Sequence, residues 1–461
     1  MRQGDLPSVI WFSVDDVKPA ITSMQEFLLV DNASLLFEKA SGCELHRDPL
    51  SGKVKFLPLG RWCGTFQQED IPLSYIALSN HLNMLRVVLK ANYMQTRKVN
   101  CDDLLDRFGK VLGAWRGGKF TSLSQRPWSL NTYALPKVWF RCHSLELRSG
   151  DISKLLSKMK SWLYSDQLEK PEEVVLYRSR ENGGLGLHNV KYKAMAMLIK
   201  SFLETAVNKK FIPNLYHNAL FRWHVLEDRS LRDPGRPPYY SLEFFDMIKQ
   251  VKDEGLLNVA TMTSKQWYQV LLENYVTMEV MVGEKRMLRP IRVELSNPSV
   301  DWVSTWKVLK FKGLNADQTT FFFKLLHNIL PTKARLHRMK MKDSPLCSLC
   351  DLAVPEDCPH ALLTCQYNKD VNNWIFACLN DLLPSLSPVN ITTLNFSLDP
   401  SKQFPVLWLL STVFPMVWNL RQAKKSVTLF NIRAEVEARV ISLRKSRLKA
   451  SSGKIEEWLN L

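Results

Sequence analysis

Residues 330–365 read LPTKARLHRMKMKDSPLCSLCDLAVPEDCPHALLTC, and the second half of this stretch decides what kind of fold it can have. Cys347 and Cys350 stand in the C-x2-C spacing that lets two thiolates from one turn bind one tetrahedral ion. His360 and Cys365, spaced H-x4-C, offer an imidazole and a third thiolate, and Cys358 is left as a spare. Four soft ligands with no open position suit a structural Zn²⁺ rather than a catalytic one. The alternative is a set of unligated buried or loop cysteines, but two close pairs fall within nineteen residues of a chain holding nine cysteines in 461. Beyond Leu346, Leu349, Leu352, Val354, Ala361, Leu362 and Leu363, residues 343–370 contain little that is apolar, too little to offset the ordering cost by burial alone. Metal binding would supply the missing stabilisation.

Outward from this stretch the pattern is helical. Thr332 can start a short basic helix over 333–342, and before it Phe322, Leu325, Leu326 and Ile329 share one face up to the stop at Pro331. On the C-terminal side, residues 404–418 form the longest apolar run. At 15 residues, with Pro405 and Pro415 inside it, it falls short of the roughly 20 needed to span a bilayer and reads as a buried helix. Residues 427–448 are amphipathic through Leu429, Ile432, Val436, Val440 and Leu443 and end in a basic turn. Towards the N-terminus, Asp151 can cap a helix carrying Ile152, Leu155, Leu156, Met159 and Leu163 inward, with Lys154, Lys158 and Lys160 among the other positions. Asn189 can cap another, with Val190, Ala194, Met197, Leu198 and Phe202 inward. The Pro- and Arg-rich stretch 228–240 reads as an exposed loop or linker. Only residues 9–60 mix strands with helix: 9–12 and 53–59 read as strands, and 24–37 as a helix.

The formal charge of +17 spreads a positive field over this frame, which makes nucleic acid the expected partner. With 46% hydrophobic and 23% charged residues the chain reads as globular, not disordered. Arg2, Asp5, Asp15, Asp16 and Lys18 interrupt any secretory apolar core, so the cysteines are expected to be intracellular, free or metal-bound, and no membrane partner is expected.

Phe12-Ser13-Val14-Asp15-Asp16-Val17, then Ser41-Gly42, then Lys53 to Lys55 and Pro58-Leu59-Gly60 resembles the distal half of a reverse transcriptase palm. The resemblance implies that Asp15 and Asp16 are a vestige of the catalytic metal-binding pair and that Lys55 lies on the next strand. Further along, Leu123-Ser124-x-Arg126, Leu130-Asn131, Leu135-Pro136-Lys137-Val138-Trp139 and Gly183-Gly184-Leu185-Gly186-Leu187 resemble the thumb segment of non-LTR (LINE-type) retrotransposon reverse transcriptases. Leu330-Pro331-Thr332 and the cysteine cluster resemble the zinc-binding module near the C-terminus of those polyproteins, and Trp418-Asn419-x-Arg421 has a counterpart beyond that module. Two-metal polymerisation also needs a third carboxylate, which the family carries far upstream of the Asp-Asp turn. Here only fourteen residues precede Asp15, and Phe12 lies one residue earlier than the family's aromatic.

The expectation is a mainly α protein with a small α+β palm remnant at 1–60, a helical thumb at 61–206, a connecting region at 207–300, a zinc module at 301–385 and a basic helical tail at 386–461. Its expected function is to bind an RNA–DNA hybrid or RNA without polymerising, as a truncated fragment. Arg126, Lys137, Arg141, Lys154 and Lys158, with Lys55, are the expected phosphate contacts, the cofactor is structural zinc, and Mg²⁺ would bind only with a complete palm. The alternatives are an active RNA-directed DNA polymerase within a longer or complemented polyprotein, and a protein-interaction scaffold using the zinc module and the 404–418 helix. The resemblance implies action in the nucleus.

Overall fold

The computed structural model describes residues 10–13 and 20–21, isolated positions up to 50, and most of the chain from 54 to 444; it leaves out 59–66, 116–122, 165–169, 208–213, 235–239, 254–260, 381–386, 396–399 and scattered single positions. The architecture is mainly helical, with a small sheet near the N-terminus. In that sheet β1 (Ile10–Ser13) pairs antiparallel with β2 (Ala20–Ile21) and with β3 (Lys55–Leu57), and β3 pairs parallel with β4 (Ala77–Leu78). Phe56, Leu57 and Val54 are buried and anchor β3. Both expected strands are present, shifted by one residue at β1 and shortened at β3. Within the expected 24–37 helix, Leu29, Asn32, Ala33, Leu35 and Leu36 are described and are helical. Two hairpins follow, β5 (His81–Met84) with β6 (Val87–Lys90), and β7 (Thr277–Val282) with β8 (Lys285–Leu288).

The chain separates into two compact units. The first comprises residues 1–114, 134–157 and 190–271. Its helices include α1 (Tyr93–Trp115), α2 (Pro136–Cys142), the first half of α3 (Ser149–Tyr164), α4 (Val190–Val207), α5 (Asn214–His224), α6 (Leu242–Asp253) and most of α7 (Ser264–Val276). Asn100 on α1 is buried and closes the edge of β6: its side chain accepts from the Val88 N–H at 2.9 Å and donates to the Val88 carbonyl at 2.7 Å. Phe202 on α4 meets Phe244 and Phe245 on α6 edge-on, with ring centroids 5.3 and 5.6 Å apart. With Trp267 fully buried on α7, residues 242–271 therefore supply core, although their sequence suggests only a connection. The position of the Asp151 cap is corrected: α3 begins at Ser149, so Asp151 sits in its first turn, where its carboxylate accepts from the Arg148 N–H at 3.2 Å and forms an ion pair with Arg97.

The second unit comprises residues 115–133, 158–189 and 272–461. It holds α8 (Ala316–Leu326), α9 (Lys333–Arg338), α10 (Lys369–Asn380), α11 (Pro400–Gln422) and α12 (Leu429–Arg444). Residues 403–422 of α11 are long and apolar enough to cross a membrane, but two thirds of that window is buried inside the protein. Val406, Leu407, Leu409, Leu410, Val413, Phe414 and Val417 are fully covered, each stabilising by about 1.5–3 kcal/mol relative to exposure. Pro415 has no N–H to give the carbonyl four residues earlier, that of Ser411. Gln318 on α8 fills the gap: its Nε2 donates to the Ser411 carbonyl at 3.2 Å and to Ser411 Oγ at 3.0 Å, while its Oε1 caps α8 by accepting from the Asn315 N–H.

The Gly-Gly-Leu-Gly-Leu stretch is a strap laid along the short helix Glu173–Tyr177, with the Leu185 and Leu187 N–H groups donating to the carbonyls of Val175 and Leu176. A Cβ on Gly183 would stand 2.4 Å from the Trp306 ring, and one on Gly184 would stand 2.1 Å from the Arg178 carbonyl oxygen. Gly183 also has φ +73°, where an L side chain is strained. Asn131 holds the strap from its other side, donating to the Gly186 carbonyl and accepting from the His188 N–H.

Candidate metal centre

The metal candidates lie in the second unit, between α9 and α10. Thr332 starts α9, as its spacing suggests, accepting from the Arg335 N–H at 3.3 Å. The chain then forms a knuckle: the Cys347 N–H donates to the Val354 carbonyl at 2.9 Å, the Glu356 N–H to the Pro345 carbonyl, and Leu346 bridges Pro355. This turn presents Cys347 and Cys350 together, while the helical turn His360–Thr364 brings His360 and Cys365 to the same point.

The four ligand atoms lie within 4.8 Å of one another. Cys347 Sγ and Cys365 Sγ are 3.9 Å apart, and Cys350 Sγ and His360 Nε2 are 3.4 Å apart. Metal–sulfur bonds of about 2.3 Å in a tetrahedron place neighbouring sulfurs roughly 3.8 Å apart, so these edges fit a zinc ion. Thr364 Oγ1 lies 3.3 Å from His360 Nδ1, which leaves Nε2 facing the thiols. Cys358 is outside the cluster, buried against Asn328 Oδ1 at 3.6 Å, and its burial pushes the thiol up to about 12.

The electrostatics around the cluster come from a residue far along the chain. Arg421 on α11 is buried, and its Nη2 lies 3.5 Å from Cys347 Sγ and 3.1 Å from Glu356 Oε2, while Nη1 donates to Asn368 Oδ1 at 3.1 Å. Three thiolates around a divalent ion leave one negative charge, and a buried guanidinium in contact with one sulfur offsets it. Burial raises the Cys365 thiol to about 11, against the lowering influence of Arg421. Burial also raises Cys350, but hydrogen bonds from the Leu352 backbone and the neighbouring thiols outweigh it and leave this thiol below its ordinary value. His360 is lowered by burial and then by Arg421, which keeps the imidazole neutral and able to ligate. Sequence reading singled out Arg421 only as part of the Trp418-Asn419-x-Arg421 resemblance; its signal was a lone arginine near the end of an otherwise apolar helix.

Residues 294–372 match the family described as zinc-binding in reverse transcriptase. That match contains all four clustered ligands and supports a reverse-transcriptase-related protein with a zinc-binding module. It begins at Glu294, whose carboxylate accepts from Arg178 at 2.9 Å and from Trp306 Nε1 at 3.0 Å, and it stops well before Arg421. No curated protein matches the chain.

The other expected site residues are placed as follows. Asp15 and Asp16 follow β1 in the chain and precede β2, but lie outside the described residues. Lys55 is half-buried on β3. Lys137, Lys154 and Lys158 are exposed, the first on α2 and the others one turn apart on α3. Arg126 donates to the carbonyls of Trp162 and Leu163, closing the C-terminal end of α3. Arg141 is turned inward, paired with Asp103 and donating to the Asn100 carbonyl at 2.7 Å. In this geometry both guanidiniums are occupied by the protein itself.

Proposed function

We propose that this chain derives from a non-LTR retrotransposon reverse transcriptase and holds nucleic acid, an RNA–DNA hybrid or RNA, without extending a primer by itself. The observation that carries the reading is that the segment similar to the zinc-binding family coincides with four soft ligands gathered at one point. A closed tetrahedral zinc site there is structural: it would stabilise the knuckle and supply no open position for chemistry. Contact with nucleic acid falls instead to cations such as Lys137, Lys154 and Lys158, whose exposure suits phosphate contacts without sequence readout. Arg126 and Arg141 would act one step back, holding the helices that carry these lysines. The apolar 404–418 segment, which a scaffold function would need at the surface, is buried, so no observation favours that alternative. The expected place of action is intracellular, in the nucleus.

The test is binding of a short RNA–DNA hybrid by fluorescence anisotropy between about 50 and 200 mM salt, where several phosphate contacts produce a steep loss of affinity. Lys154→Glu with Lys158→Glu should weaken binding to every sequence alike. An affinity indifferent to salt, or no binding at 50 mM, overturns the proposal. Incorporation on a poly(rA) template with an oligo(dT) primer, abolished in Asp15→Asn, would overturn the non-polymerising part.

A further inference from the structure

Within the second unit, a cleft of about 390 Å³ opens between three segments: 170–175, the short helix Arg292–Ser296 with its flanks, and the turn and helix of 327–339. Its volume is that of a site for a small ligand or a short length of chain. Four cations line it, Lys170, Arg292, Arg335 and Arg338, against one carboxylate, Glu172. That carboxylate is already engaged, because Glu172 Oε1 accepts from the Arg292 N–H at 3.0 Å and lies 4.0 Å from its Nε. The Arg292 side chain is 83% exposed. Lys170 and Arg338 are exposed and form no ion pair among the described residues. Arg335 is directed by its own bond to the Asn328 carbonyl at 3.2 Å, and Asn328 adopts φ +51° to make that turn. Ile291 and Ile329, also in the lining, are buried.

Lys170, Arg292 and Arg338 are exposed around one concavity whose lining holds a single carboxylate, so the cleft carries a net positive charge. Such an arrangement is stabilised by an anion that bridges the cations. Arg292 and Arg338 are arginines on separate segments, and planar guanidiniums suit the oxygens of successive phosphates better than a single compact ion. We propose that this cleft is a second nucleic-acid contact, in which Lys170, Arg292 and Arg338 hold consecutive phosphodiesters of one strand. The proposal rests on the nucleic-acid reading above and adds a site independent of Lys154 and Lys158.

The experiment uses the full zinc-loaded chain and the same hybrid. Arg292→Ala with Arg338→Ala removes two exposed cations, so the fold should hold, which a circular-dichroism spectrum checks. Each lost phosphate contact should lower the slope of log affinity against log salt by roughly 0.7–0.9, so the double variant should lose about 1.5. The loss should add to that of the Lys154 and Lys158 pair. Tripolyphosphate should displace the hybrid only weakly; displacement at equal phosphate concentration would make the cleft a free-polyphosphate site and overturn the strand assignment. A wild-type chain that binds while the double variant keeps the same affinity and slope overturns the cleft alone. Should the wild type fail to bind the hybrid at all, the functional reading fails instead, and phosphorus-31 line broadening of tripolyphosphate decides the cleft: broadening lost in the double variant keeps it as a phosphate site, and no broadening removes it.

Discussion

Replacing Arg421 by methionine keeps most of the side-chain volume and removes the charge that faces the candidate zinc ligands. In the native protein Arg421 and Glu356 are 2% and 8% exposed and 3.1 Å apart, so the substitution leaves a carboxylate buried without its cation. Breaking such a pair on one side costs about 3–5 kcal/mol. The lower end applies here, because Glu356 Oε1 also lies 3.3 Å from the Lys333 N–H, which continues to solvate it. The loss of the contact with Cys347 Sγ acts separately on the metal, and losses of an outer-shell partner commonly weaken affinity by about 10–100-fold. The assay is denaturant unfolding of the zinc-loaded protein, paired with competition for zinc against a chromophoric chelator. The double variant Arg421→Met with Glu356→Gln separates the two effects: neutralising the orphaned carboxylate should recover much of the stability while the zinc affinity stays low. The reasoning is refuted if Arg421→Met unfolds within about 0.5 kcal/mol of the wild type and keeps its zinc affinity.

The knuckle should hold one zinc per chain by elemental analysis, lost in Cys350→Ser, retained in His360→Cys, and retained in Cys358→Ser because Cys358 lies outside the cluster; metal stripped by Cys358→Ser but not by His360→Ala would exchange the two assignments. Gly183→Ala should destabilise by more than about 1 kcal/mol, since it combines a positive φ with collision against Trp306, whereas Gly150→Ala, with nothing within 4 Å of the added carbon, should be neutral or stabilise by about 0.4–1 kcal/mol; equal effects in thermal unfolding would remove the steric account of the strap. Burial holds His327 down to about 4, against the help of its hydrogen bond to the Gly183 carbonyl at 2.7 Å. The folded state therefore binds this proton less readily than the unfolded state, so the contribution of His327 is fully present above about pH 6.5 and is lost, on the order of 3 kcal/mol, as pH falls towards 4. His327→Gln should show a shallower loss than the wild type over that window in denaturant titrations, and identical slopes would contradict the assignment.

Ligand spacing and helical periodicity were legible in the sequence because both are local. A C-x2-C turn and an H-x4-C turn restrict their donors to short arcs of backbone, so spacing alone groups Cys347, Cys350, His360 and Cys365 as one set and leaves Cys358 aside. The buried repeat of Ile432, Val436 and Val440, and the Leu155, Met159 and Leu163 face of α3, likewise need nothing beyond a 3.6-residue period. Partners distant along the chain could not be read this way. Arg141 and Lys154 look alike as letters, yet one lies inside against Asp103 and the other in solvent, and only the packing of α1 against α2 decides it. Asp151 has the chemistry of a cap and accepts from the Arg148 N–H, but its ion pair with Arg97, 54 residues earlier, could not be read from spacing. Pro415 announces a missing hydrogen bond, and only the fold reveals that Gln318 supplies it. Composition and local spacing established the charge, the strongly periodic helices and the candidate ligand set. The tertiary structure decided which charges meet a partner and which remain free, because burial, set by contacts between distant segments, makes an unpaired polar group costly and so selects its partner.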